Sequence, residues 1–585
     1  MSSRNAAIVL CLFMTISAMA SQKIESGGVS VELLTARAVE GKDVLLRFAI
    51  KGSDGSRLSG IRPAAWIDAR DANADASTCK TKVQSFLGGT LRARPQVDLN
   101  AYYVLTLNAE PSIAVIDPLL GFGGSKLLTA ITLQSPGVDW VLTPDQRRLF
   151  VSMPLVNRVA VIDTESWTVI NNIEVGFRPG RLALSDVALW VLSESTASVI
   201  DLSTLGVRRT IDIGKGAHQI AFAGKHTYIS GAESKTIDDV TIVDADALAY
   251  SPLSNSVFAI DRESGVITIA GTDRRIQAKP GIDSITFAPG GRWGFVANGK
   301  ENAVHVIDSS TATIVTTARD VGASPDQVSF TSDFAYVRAS GSEQVKMIRL
   351  ADLGKSPDAN VATFPGGQLP ASSAHAESFA AAIVPAPEPT AVLVANPGDR
   401  TVYYYMEGMA APMGNFTAAR RSPKAALVLD RSLRESEPGV FSIRTKMPAA
   451  GKYDIAFFLN APRVVHCFDL AVQPGPESKR AARAVAIEPL LDKKPIAAGK
   501  ELEVRFRVTD PDTHKPHKDV RDLRALAYVT SGWQQRLVAA GAGDGTYSLK
   551  FTVPEAGIYY VFLESKSLHL TLNDGSPLIF EAIAQ

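Results

Sequence analysis

Met406, Met409 and Met413 crowd one segment, YYYMEGMAAPMGNF, running from Tyr403 to Phe416. Thioethers are soft donors, and a cluster of them suits Cu(I). His466 offers a nitrogen ligand further along the chain, and these four residues form a candidate metal site. The same methionines also read as packing. Met406 ends an apolar strand pattern, and methionine fills irregular gaps where elements meet. Three thioethers do not fix a coordination geometry by themselves, so the residue types leave both readings open.

The cysteines point to a compartment. Cys11 lies in a segment that reads as a leader: Arg4 gives a positive start, Ala6 to Ile16 is apolar, and Ala18-Met19-Ala20 places small residues where a signal peptidase cuts. Residues 1–20 are expected to be a signal peptide and the mature protein to be periplasmic or extracellular. That leaves Cys79 and Cys467, an even pair that permits one disulfide in an oxidising compartment. No later stretch approaches the roughly 18 apolar residues of a membrane helix, so no integral membrane segment is expected after cleavage. With 60 basic and 60 acidic residues, the chain gives no electrostatic reason to bind nucleic acid.

Catalytic signatures are missing. The sequence has no Cys-x-x-Cys-His, no Gly-x-Ser-x-Gly elbow, no His-Glu-x-x-His and no Walker motif, and no catalytic residues are assigned. Asp510, Asp512, His514 and His517 gather in TDPDTHKPHKD, which fits a solvated strand-linking turn as well as a metal site.

The elements that carry these residues repeat. Val138 to Val175 reads strand, Pro-Asp turn, strand, loop, strand ending Val-Ile-Asp, turn, strand. Four short antiparallel strands with a period of about 40 residues fit a propeller blade. Roughly eight such units follow from Ala101 to Met406. The first is without an opening strand and the last without a closing one, so ring closure gives seven or eight blades. Asp163, Asp201 and Asp308 recur after each Val-Ile, and that repetition marks a turn role.

A second repeat is split by the first. GKDVLLRFAI, from Gly41, matches GKELEVRFRV, from Gly499, and GVFSIRTKMPAAGKYD, from Gly439, matches GTYSLKFTVPEAGIYY, from Gly545. His466 and His569 fall in matching strands. Neither half alone has enough strands to bury a core. The expected architecture is all-β: a propeller (86–408) inserted into an immunoglobulin-like sandwich (21–85 and 409–476), followed by a second such sandwich (483–585). The insertion brings Cys79 and Cys467 to one domain.

FVANGKENAVHVID and VLVANPGDRTVYYY resemble the strand–loop–strand core of the YVTN, or YncE-like, propeller family, over about half the chain. PAAGKYDIAF and PEAGIYYVFL resemble YtkA-like and FixH-like modules. The first resemblance places the propeller in the cytochrome-d1-like superfamily, whose haem domains use a channel-face histidine as ligand. Loops entering the inner strand of a blade line the mouth of the channel, which makes His218, at the head of an inner-strand pattern in GKGAHQIAF, a channel-mouth candidate. Two functions follow. One is an exported non-catalytic scaffold or binding protein that recognises a partner protein or small ligand. The other is a periplasmic redox accessory protein that binds copper or haem for an oxidoreductase.

Overall fold

The computed structural model describes residues 20–70, 76–87, 95–118, 126–369, 378–388, 390–418, 420–447, 449–475, 485–490, 496–511, 513–529, 533–565, 567–568, 570 and 577–583. The expected leader lies outside these residues apart from Ala20, as do Asp512 and His569. The chain forms two compact units, Tyr102–Asp430 and the residues on either side of it. Among the described residues, no helix is long and apolar enough to cross a membrane.

Alternation builds the flanking unit. In Asp43–Gly52 every second residue, Val44, Leu46, Phe48 and Ile50, is fully buried, and those between are partly exposed. That is the period of a half-buried strand. This strand pairs antiparallel with Val440–Lys446, and Ala64–Ala69 pairs with Gly451–Leu459. One sheet runs 20–26, 29–35, 43–52, 440–446, 434–437, and the other 38–39, 464–473, 451–459, 64–69, 97–98. Residues from before and after the propeller therefore share one sandwich and one core. Phe48 stacks on Phe457 at 5.1 Å and meets Phe468 edge-on at 6.0 Å.

The C-terminal residues repeat this topology. Their sheets run 486–489, 501–509, 546–552, 540–541 and 496–497, 578–583, 557–564, 524–529, 534–538. Strand for strand this is the order of the first sandwich without its edge strand 20–26. Even the short parallel pair recurs, 38–39 on 464–473 in one copy and 496–497 on 578–583 in the other. In the second copy only Ala539 separates strands 534–538 and 540–541; in the first, the whole propeller lies between the matching strands 97–98 and 434–437.

The propeller unit holds eight four-stranded sheets among the described residues. Seven are made of consecutive strands, and the remaining one joins both ends of the unit. In that sheet Pro423–Asp430 pairs antiparallel with Tyr102–Asn108, which continues into Ser112–Ile116 and Leu127–Thr132. Apolar seams run between neighbouring sheets: Phe295, Val304 and Val306 of one pack against Val328, Ala335 and Val337 of the next. The shortened repeat His218 to Asp246 forms an irregular sheet in which His226–Gly231 pairs parallel with Val240–Asp244.

Two boundaries differ from the sequence reading. The propeller does not end at 408. Gly414–Thr417 closes the last consecutive sheet and Pro423–Asp430 closes the ring, so the sandwich resumes only after Asp430. The front half of the sandwich does not end at 85, because Val97–Asp98 still pairs with Ala64–Ala69. Between those strands the otherwise all-β chain forms an α-helix, Ala76–Leu87. Val97–Asp98 and Gly414–Thr417 are too short to show alternation, while the eight-residue Pro423–Asp430 is assigned to the propeller only by its pairing with Tyr102–Asn108.

Candidate functional site

The recurrent polar residues of the repeat are structural. Asp163 Oδ1 accepts the backbone N–H groups of Glu165 and Ser166 and the Ser166 hydroxyl, and Asp201 and Asp308 hold their turns in the same way. Asn298 and Asn396 each end a second strand. Asn396 Nδ2 donates to the carbonyls of Gly366 and Gln368, while its Oδ1 accepts from the Asp399 N–H. Asn298 does the same with Lys279, Pro280, Lys300 and Glu301. Each asparagine staples its hairpin to the loop arriving from the preceding sheet.

Around Asn396 the staple forms the wall of a cleft of about 120 Å³, lined also by Arg338, Gln344, Gln368 and Lys424. Lys424 is only 7% exposed. Arg338 Nε donates to Asp326 Oδ1 at 3.1 Å. Gly367 has φ +96°, and a Cβ there would come within 2.4 Å of Asn396 Nδ2 and 2.5 Å of Asp399 Oδ2. Glycine is thus needed for both conformation and room.

The methionines occupy a propeller hairpin. Met406 ends the strand Thr401–Met406, and the turn that follows returns to Gly414–Thr417. Met406 and Met409 line a cavity of about 140 Å³ together with Met347, Tyr336, Phe364 and Glu407. Glu407 Oε1 accepts the hydroxyls of Thr331 at 2.6 Å and Tyr336 at 3.0 Å, and burial beside that carboxylate pushes the Tyr336 phenol up. Met413 is 58% exposed on the hairpin and is not among the residues lining the cavity. His466 belongs to the sandwich. Met347, thirteen residues beyond the strand start at Phe334 in sequence order, was missed because isolated methionines carry no pattern; only strand pairing opposite Tyr336 reveals it.

His218 is exposed just before an inner strand, its Nδ1 2.5 Å from the Gly216 carbonyl. Among the described residues no group of three or more His, Cys, Asp or Glu side chains could hold a metal ion; Asp512 of the His514 and His517 turn lies outside them.

Asp139, at the head of an inner strand, was not singled out by its sequence. It is 4% exposed, and burial pushes its carboxyl up to about 6 against the opposing pull of Arg181 and the N–H groups of Leu182 and Trp140. A carboxyl raised in the folded state binds its proton more tightly there than in the unfolded chain. Its contribution to stability is therefore full below about pH 4 and is lost as pH rises through about 6, an effect of roughly 3 kcal/mol. Denaturation midpoints of the wild type should fall across that window. Asp139→Asn should flatten the fall, and an unchanged slope in the variant would assign the effect elsewhere.

In the sandwich, Cys79 and Cys467 form a disulfide with Cα atoms 5.8 Å apart. It lies on a cleft of about 660 Å³ that His466 also lines. The His466 ring meets Phe468 edge-on at 4.7 Å, and burial lowers its pKa.

No known family profile matches the chain, and no curated protein does. Among solved structures it is similar to apo AztD from Citrobacter koseri, at 11% identity over 57% of this chain and 98% of that one, with a TM-score of 0.38. It is similar to the Cps50 (Swd1) β-propeller domain of Myceliophteria thermophila, at 10% identity over 53% and 95%, with a TM-score of 0.34. It is also similar to the dihydro-heme d1 dehydrogenase NirN in complex with DHE, at 11% identity over 69% and 78%, with a TM-score of 0.36. At these values the comparisons add nothing to the reading of the site, which rests on the residues.

Proposed function

We propose that the protein is an exported, non-catalytic binding protein whose propeller recognises a small polar anion. The cleft carries this reading: Arg338, whose guanidinium also pairs with Asp326, and the buried Lys424 line it together with Gln344 and Gln368. Cations with flanking amide donors suit a carboxylate or similar group. Export is supported by the disulfide, a bond that persists in oxidising compartments, and by the leader-like residues 1–20. Calorimetric titration with small carboxylates and inorganic phosphate tests the cleft. Arg338→Gln and Lys424→Met should each weaken binding about 10–100-fold, the value of a charge-assisted hydrogen bond, with denaturation midpoints confirming that both variants fold. Equal affinity in all three proteins, or no binding by the wild type, overturns the reading.

One observation favours a second reading, the redox accessory role with copper. Met347 joins Met406 and Met409 in one cavity, so three thioethers line the same space. Cu(I) competition against a chelator should show affinity lost at least about tenfold in a Met347, Met406, Met409→Leu triple variant and retained in Met413→Leu. Equal affinity in the wild type and the triple variant leaves the methionines as packing.

A further inference from the structure

The disulfide is accessible, and its surroundings are cationic. Both Cys79 and Cys467 line the 660 Å³ sandwich cleft with Lys80, Arg463, His466 and Arg70. The acids of the cleft are already engaged. Asp454, 4% exposed, accepts from Arg70 Nε at 2.7 Å and Lys82 Nζ at 3.0 Å, and Asp469 pairs with Arg70. Lys80 and Arg463 have no ion-pair partner among the described residues, and His466 has no hydrogen-bond partner among them. Among the described residues, the cleft therefore presents two cations without an ion-pair partner and an imidazole around a disulfide.

Nor does the disulfide alone hold the helix Ala76–Leu87 to its sheet. Val83 is 1% exposed in a small core with Trp66 and Ala456, Phe86 packs on Trp66 at 5.7 Å, and Lys82 bridges Asp68 and Asp454. With these contacts in place, the bond can open while the helix stays docked. A half-buried covalent link that lines an open cleft and is mechanically redundant is suited to exchange.

We propose that this cleft is a thiol–disulfide exchange site for low-molecular-weight anionic thiols. The thiolate of the first molecule attacks one protein sulfur, forming a mixed disulfide as the Cys79–Cys467 bond breaks and the other cysteine leaves as a thiolate. A second thiolate attacks the small-molecule sulfur of the mixed disulfide. The small-molecule disulfide departs, and its two electrons remain on the two protein thiols. Lys80 and Arg463 hold the carboxylates of the incoming thiol and concentrate it at the bond.

The test uses the full-length oxidised protein under native conditions with two probes, glutathione, which is anionic, and cysteamine, which is cationic, at equal thiolate concentration. Opening is followed by alkylation of new thiols and by intact mass. Glutathione is expected to open the bond at least about tenfold faster than cysteamine. The Lys80→Gln, Arg463→Gln double variant should lose that preference while keeping the wild-type denaturation midpoint. Equal rates for the two thiols in the wild type, or no opening until denaturant unfolds the sandwich, overturns the proposal. Loss of ligand binding at the propeller cleft would not, since the two sites share no residue.

Discussion

Phe48→Ala is expected to cost about 3–5 kcal/mol, the range for emptying a fully packed aromatic site. Phe48 has no exposed surface, and the rings it touches, Phe457 and Phe468, lie on the far side of the propeller in sequence. The substitution therefore removes a contact between the two halves of a split domain. Trp66, 5% exposed in the same sandwich, reports it through its fluorescence in urea. The duplicated sandwich supplies an internal control. Phe506 holds the matching position in GKELEVRFRV, is fully buried, and stacks on Tyr547 at 6.1 Å. Phe506→Ala should shift the transition of Trp533, in its own core, by a similar amount. The cores are separate, so each tryptophan should follow its own phenylalanine. A Phe48→Ala protein with the wild-type Trp66 midpoint would mean that the two halves do not depend on each other.

The split was legible because duplication is a pattern within one sequence. GKDVLLRFAI and GKELEVRFRV alternate identically, and a strand that alternates announces both its type and its buried face. The propeller was legible for the same reason, through Val-Ile-Asp turns and paired apolar runs. What could not be read were the elements whose identity depends on a distant partner. PKAALVLD, Pro423–Asp430, resembles any short apolar strand; only its register against Tyr102–Asn108 makes it part of the propeller. Gly414–Thr417 is four residues long, and the helix Ala76–Leu87 sits in a stretch rich in Thr, Ser and Lys whose amphipathicity is weak. The sites show the same limit. Asp399, Asn396 and Gly367 converge through loops of different strands, and Met347 reaches Met406 only because two sheets adjoin. Residue type suggested thioether chemistry, but the grouping of Met413 and His466 with it relied on sequence proximity and an assumed junction that the hairpin at 407–413 replaces.

Leu429→Ala should lower the stability of the whole propeller by about 2–5 kcal/mol, although it alters one edge of one sheet. Leu429 is fully buried on the closing strand, in a core shared with Leu105, Leu107, Trp140 and Leu149. That core spans the closing sheet and the next, so it is where the ends of the ring are joined. In an open array each repeat answers mainly to its neighbours, and damage at one end stays local. In a closed ring every sheet has two neighbours, and opening one seam leaves an unpaired edge and an exposed apolar face. Trp190 lies in a different sheet, 4% exposed in a core that lacks Leu429. If closure couples the ring, the Trp190 transition in urea should shift to lower denaturant in step with that of Trp140. Val207→Ala, at a 42% exposed site, should leave both within about 0.5 kcal/mol. A Leu429→Ala protein in which Trp140 shifts while Trp190 keeps its wild-type midpoint would show that the closing sheet frays alone and that pairing of the ends does not govern propeller stability.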